Sequence, residues 1–136
     1  MNDKLVFFDS NILVYLIDDD EVKKEKANML LHPDYLISSQ VVGENVNACL
    51  KSLKLSKEVA FDHGDFIMSK LKLVPILPPT LKLAFLISNK YQLSWWDSLI
   101  VASALENNCE ILYSEDMQDG MVIESKLTII NPFKIK

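Results

Sequence analysis

Leu5-Val6-Phe7-Phe8-Asp9-Ser10-Asn11 opens the chain with an unbroken apolar run that ends on an acid. A short run without polar alternation is the pattern of a strand buried on both faces, as in the middle of a parallel sheet. Ile12, Leu13, Tyr15 and Leu16 follow at helical spacing, so Asp9 falls at the carboxyl end of the strand. Ligands of open α/β sheets bind along that edge. Asp9 therefore has two readings: a cap for the helix behind it, or the first group of a site.

Working outward, the strand-then-helix unit recurs. Ser10 to Asp18 is expected to be a short helix, and Asp18-Asp19-Asp20-Glu21 a solvated start for a second one reaching Leu31. Acids favour a helix N-terminus, and Pro33 ends the helix by pushing His32 out of the α region. Tyr35 to Ser38 reads as the second strand and about Gln40 to Leu53 as the third helix. Val42, Val46, Cys49, Leu50 and Leu53 form its expected core stripe, with Glu44, Asn47, Ala48 and Lys51 on another side. The fourth helix follows Leu55-Ser56-Lys57-Glu58 and carries Val59, Phe61, Phe66, Ile67 and Leu71 as its apolar residues; His63 in its middle reads as solvated or core-edge. Leu71 to Leu77 is a third strand whose Pro75 places it near a sheet edge. Helices over Leu81–Asn89 and Leu93–Leu105, strands at Glu110–Tyr113 and Leu127–Ile130, and a loop from Met117 to Gly120 complete the pattern. The alternation predicts one α/β domain over residues 1–136, a central parallel sheet flanked by helices as an α/β/α sandwich.

Composition narrows the function classes. At 136 residues with 49% apolar content, the chain can bury a core without staples. It has neither an apolar stretch of membrane-span length nor a signal-peptide pattern, so a cytoplasmic protein that makes no use of a membrane is expected. Cys49 and Cys109 lack a CxxC partner and read as buried thiols. The net charge of −5 argues against a generic polyanion binder, and every cation is a lysine. Contacts to phosphate must then come from lysine, backbone N–H groups or a bound cation, never from a guanidinium fork.

Four of the 19 acids sit where solvation does not explain them. Asp9 and Asp116 both follow buried strands closely, so a parallel sheet points them from one edge. Asp97 shares a helical stripe with Ile100, Val101 and Ala104, where an unpaired charge is costly. Ser94-x-x-Asp97 also fits a capping box, and a first-turn acid can serve both as cap and in a site. Glu44 lies early in a helix behind a strand, again at the carboxyl edge. Asp119, before Gly120, reads as a turn residue with an auxiliary acidic role as its alternative. Carboxylates aimed at one crevice repel unless their pKa values rise or a hard divalent cation neutralises them. With no clustered His or Cys, Mg²⁺ or Mn²⁺ is the fitting ion and phosphodiester hydrolysis by metal-activated water the fitting chemistry.

Phe7-Phe8-Asp9-Ser10-Asn11, Ser39-Gln40-Val41-Val42-Gly43-Glu44, Ser94-Trp95-Trp96-Asp97-Ser98-Leu99-Ile100-Val101-Ala102 and Leu112-Tyr113-Ser114-Glu115-Asp116-Met117 occur in this order. Over essentially the whole chain the pattern resembles the PIN-domain nucleases, in particular the VapC-type toxins of toxin–antitoxin pairs. The resemblance implies that Asp9, Asp97 and Asp116 hold Mg²⁺ or Mn²⁺, and that Glu44 is a fourth acid aiding a second metal or the attacking water. It implies that Asn11 and Ser114 support the acids or substrate by hydrogen bonds, and that Asp119 falls where relatives carry a further acid. It also implies an endoribonuclease, a homodimer, and a cognate VapB-like antitoxin that covers the acidic groove. Trp95 and Trp96 read as one packed and one partly exposed ring, with base stacking as the functional alternative.

Four rivals are weaker or undecided. A haloacid-dehalogenase-type phosphatase needs a second aspartate where this chain has Asn11. A receiver domain needs an acceptor aspartate where it has Ile76-Leu77-Pro78-Pro79. An RNA-processing nuclease without an antitoxin, or a non-catalytic PIN-fold scaffold, would share the same pattern.

Overall fold

The computed structural model describes residues 4–134. The elements run β1 (Val6–Phe8), α1 (Ser10–Leu13) continuing into a 3-10 turn (Val14–Ile17), α2 (Glu21–Leu30), β2 (Leu36–Ser38), α3 (Ser39–Lys51), α4 (Lys57–Lys70) and β3 (Lys72–Val74). They continue with α5 (Pro78–Tyr91), α6 (Trp95–Glu106), β4 (Ile111–Tyr113), β5 (Val122–Ile123) and β6 (Leu127–Ile130). The sheet order is β3-β2-β1-β4-β6-β5, parallel except for β5. The predicted α/β architecture is therefore present, with one antiparallel edge strand that the sequence pattern did not reveal. Two residues of strand are too few to show a period.

From β1 the chain steps outward to β2 and β3, then returns across the sheet to β4 on the other side of β1. The outward steps carry α1 to α4, with α3 packed on α4, and the return crossover carries α5 and α6, packed on each other. The reversal between β1 and β4 is a topological switch point, where a crevice opens at the carboxyl ends of the strands. Pairing of Phe7 with Leu112 and Phe8 with Tyr113 brings the residue after β1 level with the residue after β4. Asp9 and Ser114 are those residues.

The core is built from the strands, with Phe7, Phe8, Ile37, Leu112, Leu127 and Ile129 fully buried. On α3 the buried line is Val41, Asn45 and Cys49, about one residue out of step with the expected stripe, while Val42 and Val46 are only partly buried. These two valines turn toward α4, where a Cβ on Gly64 would lie 3.2 Å from Val46 Cγ2. The small residues Ala60 and Gly64 let α4 approach α3 closely, so α4 buries Ala60, His63, Gly64 and Ile67. Of the apolar residues noted on this helix, Ile67 and Leu71 are buried, whereas Val59, Phe61 and Phe66 are exposed. Both cysteines are buried free thiols. Among the described residues no helix is long and apolar enough to cross a membrane.

Candidate active site

Asp9 ends β1 and caps α1: its Oδ1 accepts from Ser10 N at 2.7 Å. Its Oδ2 accepts from Asn11 Nδ2 at 3.1 Å and from Ser114 Oγ at 2.8 Å. The cap reading of Asp9 is borne out. Only 5% of Asp9 is exposed. Burial raises its pKa to about 6 against the lowering effect of the Ser114 and Ser10 hydrogen bonds, and the charges of Asp97 and Glu44 add to the rise. Asn11 does a second job, since its Oδ1 accepts from Glu115 N at 3.0 Å and ties the loop after β4 to α1.

Glu44 stands on α3, whose N-cap Ser38 ends β2. Ser10 Oγ donates to its Oε1 at 2.9 Å and Gln40 Nε2 to its Oε2 at 3.0 Å. Asp97 lies in the first turn of α6, with its backbone N donating to the Ser94 side chain at 3.2 Å. It is half-buried. Burial raises its pKa, a Ser94 hydrogen bond opposes the rise, and the charges on Asp116 and Glu44 reinforce it. Asp116 is exposed on the loop after β4.

Asp9 lies within electrostatic reach of Glu44 and Asp97, and Asp97 within reach of Glu44 and Asp116. Among the described residues none of the four has a lysine within ion-pair distance. Nor do any three His, Cys, Asp or Glu side chains among the described residues form a group that could hold a metal ion. An oxygen-only, openly spaced, uncompensated acidic set fits Mg²⁺ or Mn²⁺. Mg²⁺ keeps several waters and takes few protein carboxylates, the remainder of its shell coming from phosphate oxygens.

Asp119 is placed differently. Its Oδ1 accepts from Asn131 N at 2.7 Å, and its Oδ2 lies 3.8 Å from Lys134 Nζ, so it braces the segment after β6. Two other groups were not singled out by the sequence pattern. Gln40 is one, although its position four residues before Glu44 is the helical spacing of a side-chain pair. Glu115 is the other: it accepts from Tyr15 Oη at 2.6 Å and pairs with Lys23, which also lies over the Tyr15 and Phe133 rings. No local signal links these residues, which are far apart in the chain. Removing the acceptor with Glu115→Ala should lower stability by about 1–2 kcal/mol, read as a fall in Tm. An unchanged melting curve would reduce this cluster to decoration.

The sequence from residue 6 to residue 118 matches the PIN domain family model. The chain belongs to the PIN-domain family. No curated protein sequence matches it. A toxin–antitoxin complex from Klebsiella pneumoniae is similar to this PIN domain with a TM-score of 0.72 and 21% identity, over 96% of this chain and 99% of that one. VapC20 of Mycobacterium tuberculosis, described as a sarcin–ricin loop cleaving toxin, follows at 0.68 and 14% identity, covering 82% of this chain and 89% of that one. VapBC2 from Rickettsia felis, bound to a promoter DNA fragment, gives 0.64 and 21% identity over 82% and 88%. At such identities the likenesses speak for the fold.

Proposed function

We propose that this PIN domain is a Mg²⁺- or Mn²⁺-dependent endoribonuclease and the toxin of a toxin–antitoxin pair. The reading is supported by one linkage: Ser10, beside Asp9, donates to Glu44, and Gln40 joins Glu44 to the carbonyl of Trp96, beside Asp97, with no lysine ion-paired to Asp9, Glu44, Asp97 or Asp116 among the described residues. Asp9, Asp97 and Asp116 would hold the ion, with Glu44 completing the set or serving the attacking water. When bound there, a divalent ion supplies positive charge, an activated water for in-line attack and stabilisation of the leaving oxygen. The chain's own part is positioning. Ser114 and Asn11 fix the Asp9 carboxylate, and Ser10 and Gln40 each hold one oxygen of Glu44, so the acids need no rearrangement when phosphate arrives. Family membership and the fold shared with toxin–antitoxin proteins support an RNA substrate, a VapB-like antitoxin over the crevice and a homodimer.

The test is cleavage of structured RNA by purified protein with and without Mn²⁺, beside Asp97→Asn. Metal-dependent cutting by the wild type, reduced by about 10²-fold or more in the variant, is expected. Equal cutting by both proteins would remove Asp97 from the mechanism, and no cutting under any metal would leave a binding scaffold. Expression of the wild type alone should halt growth, whereas Asp9→Ala should not.

A further inference from the structure

Beside the acid crevice, between α3 and the start of α6, runs a groove of about 500 Å³ lined by Gln40, Gly43, Glu44, Asn47, Ser52 and Trp96 among others. Glu44 belongs to both groove and crevice, and Trp96 is the residue before Asp97. An occupant of the groove therefore lies against the candidate reaction centre.

Trp96 is 61% exposed, whereas Trp95 is stacked on Phe85 with ring centroids 5.3 Å apart. One ring is committed to packing and the other is left as an open platform. The platform's backbone is tethered: Gln40 Nε2 donates to the Trp96 carbonyl at 3.2 Å and to Glu44 Oε2 at 3.0 Å. A single amide thus ties the backbone of the indole-bearing residue to the acid before any ligand arrives.

Gly43 leaves the groove open. A Cβ there would meet nothing within 4 Å, and its backbone is not in the left-handed region that calls for glycine. Glycine inside a helix costs up to about 1 kcal/mol relative to alanine, so this one weakens α3 with no gain in packing. What it leaves is space. Asn47 is exposed on the same wall, a neutral amide able to donate and accept, and Lys51 follows one turn further along α3. A flat π-face, a neutral amide edge, a lysine beyond one end and carboxylates at the other match one nucleotide better than an aliphatic peptide side chain.

We propose that this groove is a nucleobase subsite, in which one unpaired base of RNA stacks on Trp96 next to the phosphate at the acid crevice. The proposal rests on the nuclease reading for what happens to that phosphate, but its test reads binding alone. A short labelled single-stranded RNA of mixed sequence is titrated with protein in Ca²⁺, which occupies oxygen sites with looser geometry than Mg²⁺. Trp96→Ala should weaken binding about 5- to 150-fold, the range of one base–aromatic stack, and Trp96→Phe should restore most of it. Gly43→Leu should fill the groove and weaken binding comparably, with a melting temperature equal to or above that of the wild type. Binding within twofold of wild type for both Trp96→Ala and Gly43→Leu overturns the subsite and leaves the groove to a peptide. A wild type that binds no RNA overturns it as well. Cleavage in Mn²⁺ with unaltered binding by the variants would retain the nuclease and discard the subsite. Trp96-dependent binding without cleavage would do the reverse.

Discussion

Asp9→Asn should make the metal-free protein more stable while abolishing the RNA cleavage proposed for it. The carboxylate is buried and its pKa is raised from an ordinary 3.8 to about 6, so at neutral pH the fold carries a charge it would shed if it could. A rise of that size is worth roughly 3 kcal/mol. Asparagine removes the charge but presents an N–H₂ to one of the donors from Ser10, Asn11 or Ser114, forfeiting about 1–2 kcal/mol. The net gain is about 1–2 kcal/mol, or a few degrees in Tm. The pH dependence has a definite sign. Between about 3.8 and 6 the folded chain holds this proton more tightly than the unfolded chain, so the Asp9 contribution to stability falls as pH rises. The penalty is absent below that window and complete above it. Asp97, raised in the same direction, contributes likewise. The order of stability of wild type and Asp9→Asn should therefore invert with pH, the wild type being the more stable in acid, where only the lost hydrogen bond counts, and the variant the more stable toward neutrality. Mg²⁺ should close the gap by stabilising only the wild type, through mass action. A variant less stable than wild type at neutral pH would mean that Asp9 is a structural cap and not a strained ligand.

Asn45→Ala should be among the most damaging single changes away from the acids. Asn45 is completely buried on α3, and its Nδ2 donates to Ser10 O at 3.2 Å and Val41 O at 3.1 Å. With both amide hydrogens spent on carbonyls, Oδ1 must accept, so the contact with His63 Nε2 at 2.9 Å makes that nitrogen the donor. Burial lowers the pKa of His63, consistent with a neutral ring carrying its hydrogen on Nε2. Truncation would strand His63 Nε2 away from water and remove the tie to the Ser10 carbonyl, which keeps its helix bond from Val14 N, a loss of about 1–3 kcal/mol and roughly 3–12 °C in Tm. Because Ser10 also holds Glu44, the loss should reach the crevice. Combining Asn45→Ala with His63→Leu should cost clearly less than the sum of the two, as expected when both partners of a buried bond are removed together. Strict additivity in that double-mutant cycle would show that the contact carries no coupling.

This pair shows where the primary structure stops being readable. His63 reads as a solvated or core-edge histidine and Asn45 as an unremarked polar residue between valines, yet together they join two helices and reach the strand-end loop. Val42 and Val46 mark an apolar stripe correctly as apolar, but that stripe faces α4 through Gly64 and not the sheet. Periodicity identifies a face; what the face meets is set by residues elsewhere in the chain.

The order of strands and helices, the buried first strand, and the positions of Asp9 after β1, Asp97 in the first turn of α6 and Asp116 after β4 were legible in the sequence. Each depends on local pattern: an apolar run, a cap residue, a helical period. Which acid is buried, which groups hold it, and the open groove beside Trp96 were decided by the tertiary structure. Desolvation, charge coupling and shape arise only when segments far apart in the chain are brought to the same crevice. The strand reversal between β1 and β4 is what brings them there.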